Sequence, residues 1–80
     1  MTSHKLEPVD HLIAANIRYY RSLRGLTREM LAKRVDMSPG RLRCYETGQS
    51  SIGAAGLLQI ARALEVPIGQ FFAGDVSKHI

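Results

Sequence analysis

The segment from Thr27 to Gly48 limits the possible folds of this chain more than any other. It holds two short apolar-patterned stretches, each opened by a residue suited to cap a helix, Thr27 and Ser38. Only Asp36-Met37 separates them. Pro39 follows Ser38 directly, at the first helical position, where a missing N–H costs nothing and a fixed φ suits the helix. Gly48 ends the second stretch. Two short helices joined by a three- to four-residue turn are a helix-turn-helix, and that unit makes demands that can be checked position by position. Leu31, Val35, Met37, Leu42 and Tyr45 must share one seam, and all five are apolar or aromatic. Ala32 falls where the second helix crosses closely over the first, so a larger side chain there would push the helices apart. Asp36 occupies a turn position that needs a left-handed backbone, where Gly is best and Asp is tolerated. An ordinary antiparallel helical hairpin would require neither the small residue nor that turn.

The flanking sequence extends the helical pattern. Residues 1–9 read as a polar, flexible arm containing Pro8. A first helix is expected from Asp10, taken as its N-cap, to about Arg24. Its stripe is Ile13, Ile17, Tyr20 and Leu23, with Leu12 on the flank. Gly25 suits the left-handed position that ends a helix, with Leu26 packing back. The second helix runs to about Val35, with Met30, Leu31 and Val35 inward. The third runs from Pro39 to about Thr47, and Gln49 to Ile52 form a loop. A fourth covers about Ala54 to Leu64 and buries Leu57, Ile60, Ala61 and Leu64. Pro67 separates it from a short fifth helix ending in Phe71-Phe72. Residues 74–80 read as a frayed tail. No stretch has strand periodicity. The expectation is therefore an all-α, compact five-helix domain over residues 10–73, with its helix-turn-helix at about 28–47.

Charge narrows the partner. The 80 residues carry 11 Lys+Arg against 7 Asp+Glu. Eight of the cations lie between Arg18 and Arg43: Arg18, Arg21, Arg24, Arg28, Lys33, Arg34, Arg41 and Arg43. Only Glu29 and Asp36 oppose them there. Arg outnumbers Lys, and Arg is the better bidentate donor to phosphate and guanine. A solvated helical face is the bland alternative for such a run, and Arg18 and Arg24 suit it. The single Cys44 excludes an intramolecular disulfide and reads as a small half-buried apolar residue. His4, His11 and His79 lack metal-ligand spacing. No apolar run is long enough to span a membrane and no secretory leader is apparent, so a cytoplasmic location is expected. Nothing resembles a nucleophile–base pair, a phosphate-cradling Gly loop or a carboxylate dyad, so neither catalysis nor a cofactor is expected.

The run GLTREMLAKRVDMSPGRLRCYETGQ, followed by LLQIARALEVPIGQFF, resembles phage-repressor-like regulators of the Xre, Cro/repressor type. Gly25-Leu26-Thr27, Tyr45-Glu46-x-Gly48 and Ile60-Ala61-x-Ala63-Leu64 carry the likeness, which covers about residues 10–73. It implies a five-helix domain that binds operator DNA, usually as a homodimer, and represses or activates transcription. Position by position, it implies that Arg21 and Glu46 form a buried ion pair between the first and third helices. Thr27 and Arg28 match the start of the second helix, which meets phosphate. Pro39, Gly40 and Cys44 match base-reading positions, with Ser38, Arg41 and Arg43 beside them. Thr47 to Ser51, including Gln49, match a loop that meets the DNA backbone.

Two departures redirect the reading. Pro39 has no N–H and Gly40 no side chain, so neither can make a bidentate base contact. Base recognition then falls to Arg41, Arg43 and Cys44, or to backbone approach at Gly40, and Arg43 is the favoured reader. The capping box at Thr27 lacks its acidic partner, because Met30 stands there. The expected function is a sequence-specific DNA-binding transcriptional regulator, a repressor acting as a homodimer on palindromic double-stranded DNA. Ile52, Leu58, Ile68, Phe71 and Phe72 are the expected dimer interface, since with Val66 they exceed what so short a chain is expected to bury. The alternative is an antitoxin or adaptor module whose helix-turn-helix chiefly binds a protein partner.

Overall fold

The computed structural model describes residues 8–74. The expected features of residues 1–7 and 75–80, with His4 and His79, lie outside the described residues. Four α-helices are present among the described residues: α1 (Pro8–Leu23), α2 (Arg28–Arg34), α3 (Pro39–Glu46) and α4 (Ala54–Leu64). The expected fifth helix is instead a 3₁₀ turn over Ile68–Phe72. Pro67 fixes its entry, and the five residues up to Phe72 are too few to establish α-helical bonding. No strand occurs among the described residues, and none of their helices is long and apolar enough to cross a membrane.

Local signals set most helix ends. Thr27 Oγ1 accepts a hydrogen bond from Met30 N at 3.1 Å, and Ser38 Oγ accepts one from Arg41 N at 3.1 Å. Both satisfy an N-terminal donor that the helix leaves free. At the end of α1, Leu26 N bonds Arg21 O at 3.1 Å and Gly25 N bonds Ser22 O at 2.9 Å, with Gly25 at φ 73°. That is a Schellman end, and Leu26 folds back into the core. The start of α1 differs from expectation. It begins at Pro8, which is pre-organised for the first helical position, so Asp10 sits inside the first turn rather than capping it. There its charge complements the helix dipole and its Oδ1 accepts from Ser51 Oγ at 2.7 Å.

The core is one cluster built from every element. Ile13, Ile17, Leu31, Leu42, Leu57, Ile60, Leu64 and Phe71 meet in it, with Ala32 at the α2–α3 crossing. Val35 is buried, and Met37 packs against the cluster at its edge. Two inward assignments and one outward assignment change. Leu23 is exposed, because α1 turns at Gly25 and Leu26 fills the space instead. Met30 is exposed on the outer side of α2, about 100° from Leu31. Phe71, expected at a dimer interface, is fully enclosed within the chain, where its ring meets Tyr20 edge-on at 5.6 Å. Val66 is buried as well. Asn16 holds the 3₁₀ turn over Phe71, donating to Phe71 O at 2.8 Å and Ala73 O at 2.9 Å.

Two non-glycine residues adopt left-handed backbone, Asp36 at φ 54° and Glu65 at φ 58°. Each ends a helix in the same way as Gly25, with Met37 N reaching Ala32 O and Val66 N reaching Ala61 O, both at 3.0 Å. A side chain at such a position costs roughly 1–2 kcal/mol, less for Asp. Glu65→Gly is therefore expected to raise stability by about 1 kcal/mol, and Asp36→Gly by less, after the entropy of Gly is counted. Urea midpoints check this; a loss at position 65 would mean that the Glu65 side chain carries a contact of its own.

Candidate nucleic-acid interface

The outward surface of α3 follows from its helical period. Leu42 and Glu46 are its buried residues and face the rest of the chain. Gly40, Cys44 and Thr47, spaced four and three apart, therefore line the opposite crest. Pro39, Gly40, Arg41 and Arg43 are exposed, and Cys44 is half-buried with its Sγ 3.6 Å from Gln49 Oε1. Arg41 and Arg43 lie about 200° apart, so they flank the crest on opposite sides. Arg41 is braced: its Nε donates to Tyr45 Oη at 3.0 Å and its guanidinium lies 5.8 Å from that ring's centroid. The Arg43 side chain has no hydrogen-bond or ion-pair partner among the described residues, and its guanidinium is the unengaged cation of α3. The Thr47 hydroxyl turns back to donate to Arg43 O at 2.8 Å. Thr27, Ser38 and Gln49 are exposed around this surface.

Beside the packing of Leu42, an ionic cluster holds α3 in place. Glu46 is fully buried, and Arg21 grips both of its oxygens with one edge of the guanidinium, Nε to Oε2 at 2.6 Å and Nη2 to Oε1 at 3.0 Å. Arg21 Nη1 also donates to Leu26 O at 3.0 Å. Arg28 joins them, with Nε donating to Glu46 Oε1 at 3.1 Å. The carboxylate thus ties α3 to α1 and α2 together. Arg28 thus has a partner inside the fold at the same place, the start of α2, where a phosphate contact is expected of it. Its side chain is turned toward Glu46 rather than extended to solvent, although about a third of it stays exposed. No buried side-chain nitrogen or oxygen among the described residues lacks a partner.

Two further arginines are structural. Arg18 Nη1 donates to Glu46 O at the end of α3. Arg24 donates from Nε to Leu64 O at 2.7 Å and from Nη2 to Glu65 O at 3.1 Å, at the end of α4. Helix C-termini leave carbonyls unpaired and carry partial negative charge, so a cation there is favourable on both counts. In the sequence both suit a solvated face, and the structure instead gives each a carbonyl partner. The signal for this is their spacing: Arg18 and Arg21 on the last turns of α1 and Arg24 just past its end recur every three residues.

The loop between α3 and α4 is set from both ends. Gln49 N and Ser50 N both reach Cys44 O, at 2.9 and 3.2 Å. Gly48 has φ 76° and lies against the His11 ring, where a Cβ would come within 2.6 Å of Nδ1. With the Asp10–Ser51 bond, the first turn of α1 fastens this loop. The loop leads into an α4 start that no side chain caps, at Gly53. That start shares a groove of about 340 Å³ with Arg41 and Tyr45. Among the described residues no group of three His, Cys, Asp or Glu could hold a metal ion.

Comparison with known proteins accords with this geometry. Residues 17–71 match the helix-turn-helix family. An uncharacterized transcriptional regulator in the ATPase CF(0) region of Rhodospirillum rubrum is 38% identical over 65 residues, 81% of this chain and 60% of that protein. The chain spans between 49% and 60% of the length of the curated relatives it matches. Among solved structures, the clp gene regulator ClgR from Corynebacterium glutamicum superposes with a TM-score of 0.77 at 27% identity, covering 81% of this chain and 86% of that one. A transcriptional regulator of the same family from Vibrio cholerae gives 0.77 at 34% identity, over 84% of this chain and 38% of that one. The match takes in more than half of the chain, and the left-handed residue at Asp36 and the buried Ala32 are where a helix-turn-helix requires them. The chain thus belongs to the helix-turn-helix family of the Xre/Cro type.

Proposed function

We propose that this chain is a sequence-specific DNA-binding transcriptional regulator, a repressor that acts as a homodimer on a palindromic operator. The observation that carries this reading is the outer face of α3. A crest of exposed Gly40 and Thr47 with the half-buried Cys44 between them is flanked by the unengaged Arg43, on a helix anchored by a fully buried carboxylate. A rigid helix with a low crest can enter the major groove deeply, and Arg43 supplies the donor pair that guanine accepts. Thr27, Ser38, Gln49 and the uncapped start of α4 beside Arg41 meet the phosphates and set the register. The names of the relatives as transcriptional regulators support the reading. Repression follows where the occupied operator overlaps sites that other proteins need.

Dimerisation is inferred from the apolar surface left after the core closes. Leu58, Ile68 and Phe72 are exposed, and Ile52 is only partly covered. A two-fold dimer through them places two α3 helices about one DNA turn, ~34 Å, apart. Sedimentation at micromolar concentration, with and without operator, is expected to show a dimer in at least one condition; a monomer in both rejects it. Mobility shift against genomic fragments at two salt concentrations tests the function itself. A shifted species that survives competitor DNA is expected. Its absence would favour the alternative, a module that binds protein.

A further inference from the structure

Two exposed arginines stand on α3, and only Arg41 is held. Tyr45 follows it by four residues, so the two side chains meet on one side of the helix. The Arg41 Nε donates to Tyr45 Oη at 3.0 Å, and the guanidinium carbon lies 5.8 Å from the centroid of the same ring. Tyr45 is half-buried, which gives the exposed Arg41 a firm base. The contact uses Nε alone and leaves Nη1 and Nη2 without a hydrogen bond or ion pair among the described residues. Both residues line the groove of about 340 Å³ shared with Asp36 and with Gly53, Ala55 and Gly56 at the start of α4. Asp36 is the carboxylate of that groove, yet Arg41 is bonded to the phenol and not to it.

We infer that Tyr45 is a positioning residue for DNA binding: it holds Arg41 so that the free Nη pair meets a backbone phosphate beside the uncapped start of α4. This rests on the DNA-binding reading above. A long side chain loses rotamer freedom when a ligand immobilises it, and a contact that fixes it beforehand removes part of that cost. The choice of Nε matters. Nη1 and Nη2 form the end of the guanidinium, where two parallel N–H groups can take two oxygens of one phosphate. The phenol is neutral and accepts without cancelling the charge, which a carboxylate in its place would do. Released from Tyr45, Arg41 shares the groove with Asp36, and an ion pair between them would occupy the donors that a phosphate needs. A phosphate contact is blind to base identity, so Tyr45 acts on affinity and not on sequence preference.

The test measures binding of the full chain to a random-sequence duplex across a range of salt concentrations. It compares the parent with Tyr45→Phe, Arg41→Ala and Arg41→Ala/Tyr45→Phe, each with a melting curve. Phenylalanine keeps the ring and removes only the hydroxyl. Tyr45→Phe is expected to weaken binding about threefold to tenfold per protomer, the range for one long side chain ordered only on binding. In the Arg41→Ala background the same substitution is expected to change nothing. Arg41→Ala is expected to flatten the dependence of log K on log salt by about 0.9 per protomer, as the loss of one phosphate contact does. A loss from Tyr45→Phe of equal size in both backgrounds overturns the inference, since the phenol would then act without Arg41. Tyr45→Phe binding as tightly as the parent overturns it too, as does an Arg41→Ala salt slope equal to the parent's. These three results leave the DNA-binding reading standing. A parent chain that retards no duplex even at low salt removes that reading, and the inference with it. Should Tyr45→Phe melt early, Asp36→Asn decides. It is expected to raise binding more in Tyr45→Phe than in the parent, and equal gains overturn the inference.

Discussion

Glu46→Ala is expected to remove most of the stability of this domain. The carboxylate is fully buried and accepts from three guanidinium nitrogens on two arginines. Truncating one partner of a buried ionic cluster costs on the order of 3–5 kcal/mol, because the remaining charges lose their counter-ion and cannot regain water. Arg21 is the more enclosed of the two, with its side chain 15% exposed, and so loses more than Arg28. Native domains have only about 5–15 kcal/mol in total, and short ones lie at the low end. A shift of roughly 4–8 °C per kcal/mol puts the fall in Tm at tens of degrees. Glu29→Ala, at an exposed position in the first turn of α2, provides the comparison and is expected to cost less than about 1 kcal/mol. Equal, small effects from both substitutions would mean that the cluster is not an anchor.

Arg43→Ala is expected to leave folding intact and blunt sequence preference. An Arg–guanine pair discriminates by about 1–3 kcal/mol, so one position in each half-site should lose up to a hundredfold in selectivity while nonspecific binding is largely spared. Arg28→Ala should behave in the opposite way. It removes one of the bonds that hold Glu46, so it lowers the melting temperature and weakens all sites about equally. Binding of each variant to a library of single-base operator changes, with a melt alongside, separates the two. The assignment of Arg43 as reader fails if Arg43→Ala weakens every operator variant to the same degree. A base preference altered by Arg28→Ala would reverse the roles.

Most of the local structure is legible in the residues themselves. Thr27, Ser38-Pro39 and Gly25 place helix boundaries through interactions a few residues long. The seam of Leu31, Val35 and Leu42 follows from a period of 3.6 that depends on no distant contact. The left-handed turn at Asp36 is readable for the same reason, since only a few residue types tolerate that backbone. The bounds of α4 were likewise legible, because its apolar face is continuous from Leu57 to Leu64.

The tertiary structure alone decided how long side chains are used. An arginine reaches far enough to serve solvent, phosphate or a distant carbonyl, and its position in the chain does not choose among them. The end of α4 needs Arg24, 40 residues away from Leu64. Glu46 needs Arg28 as well as Arg21. The basic stretch from Arg18 to Arg43 therefore reads as one positive surface, yet half of it serves the interior of the fold. Phe71 is the apolar counterpart. Composition marks it as surplus, but Asn16 and Tyr20 close over it once the 3₁₀ turn folds against α1. Short-range bonding and periodicity are properties of the sequence; the partner of a flexible or terminal side chain is settled only when distant segments meet.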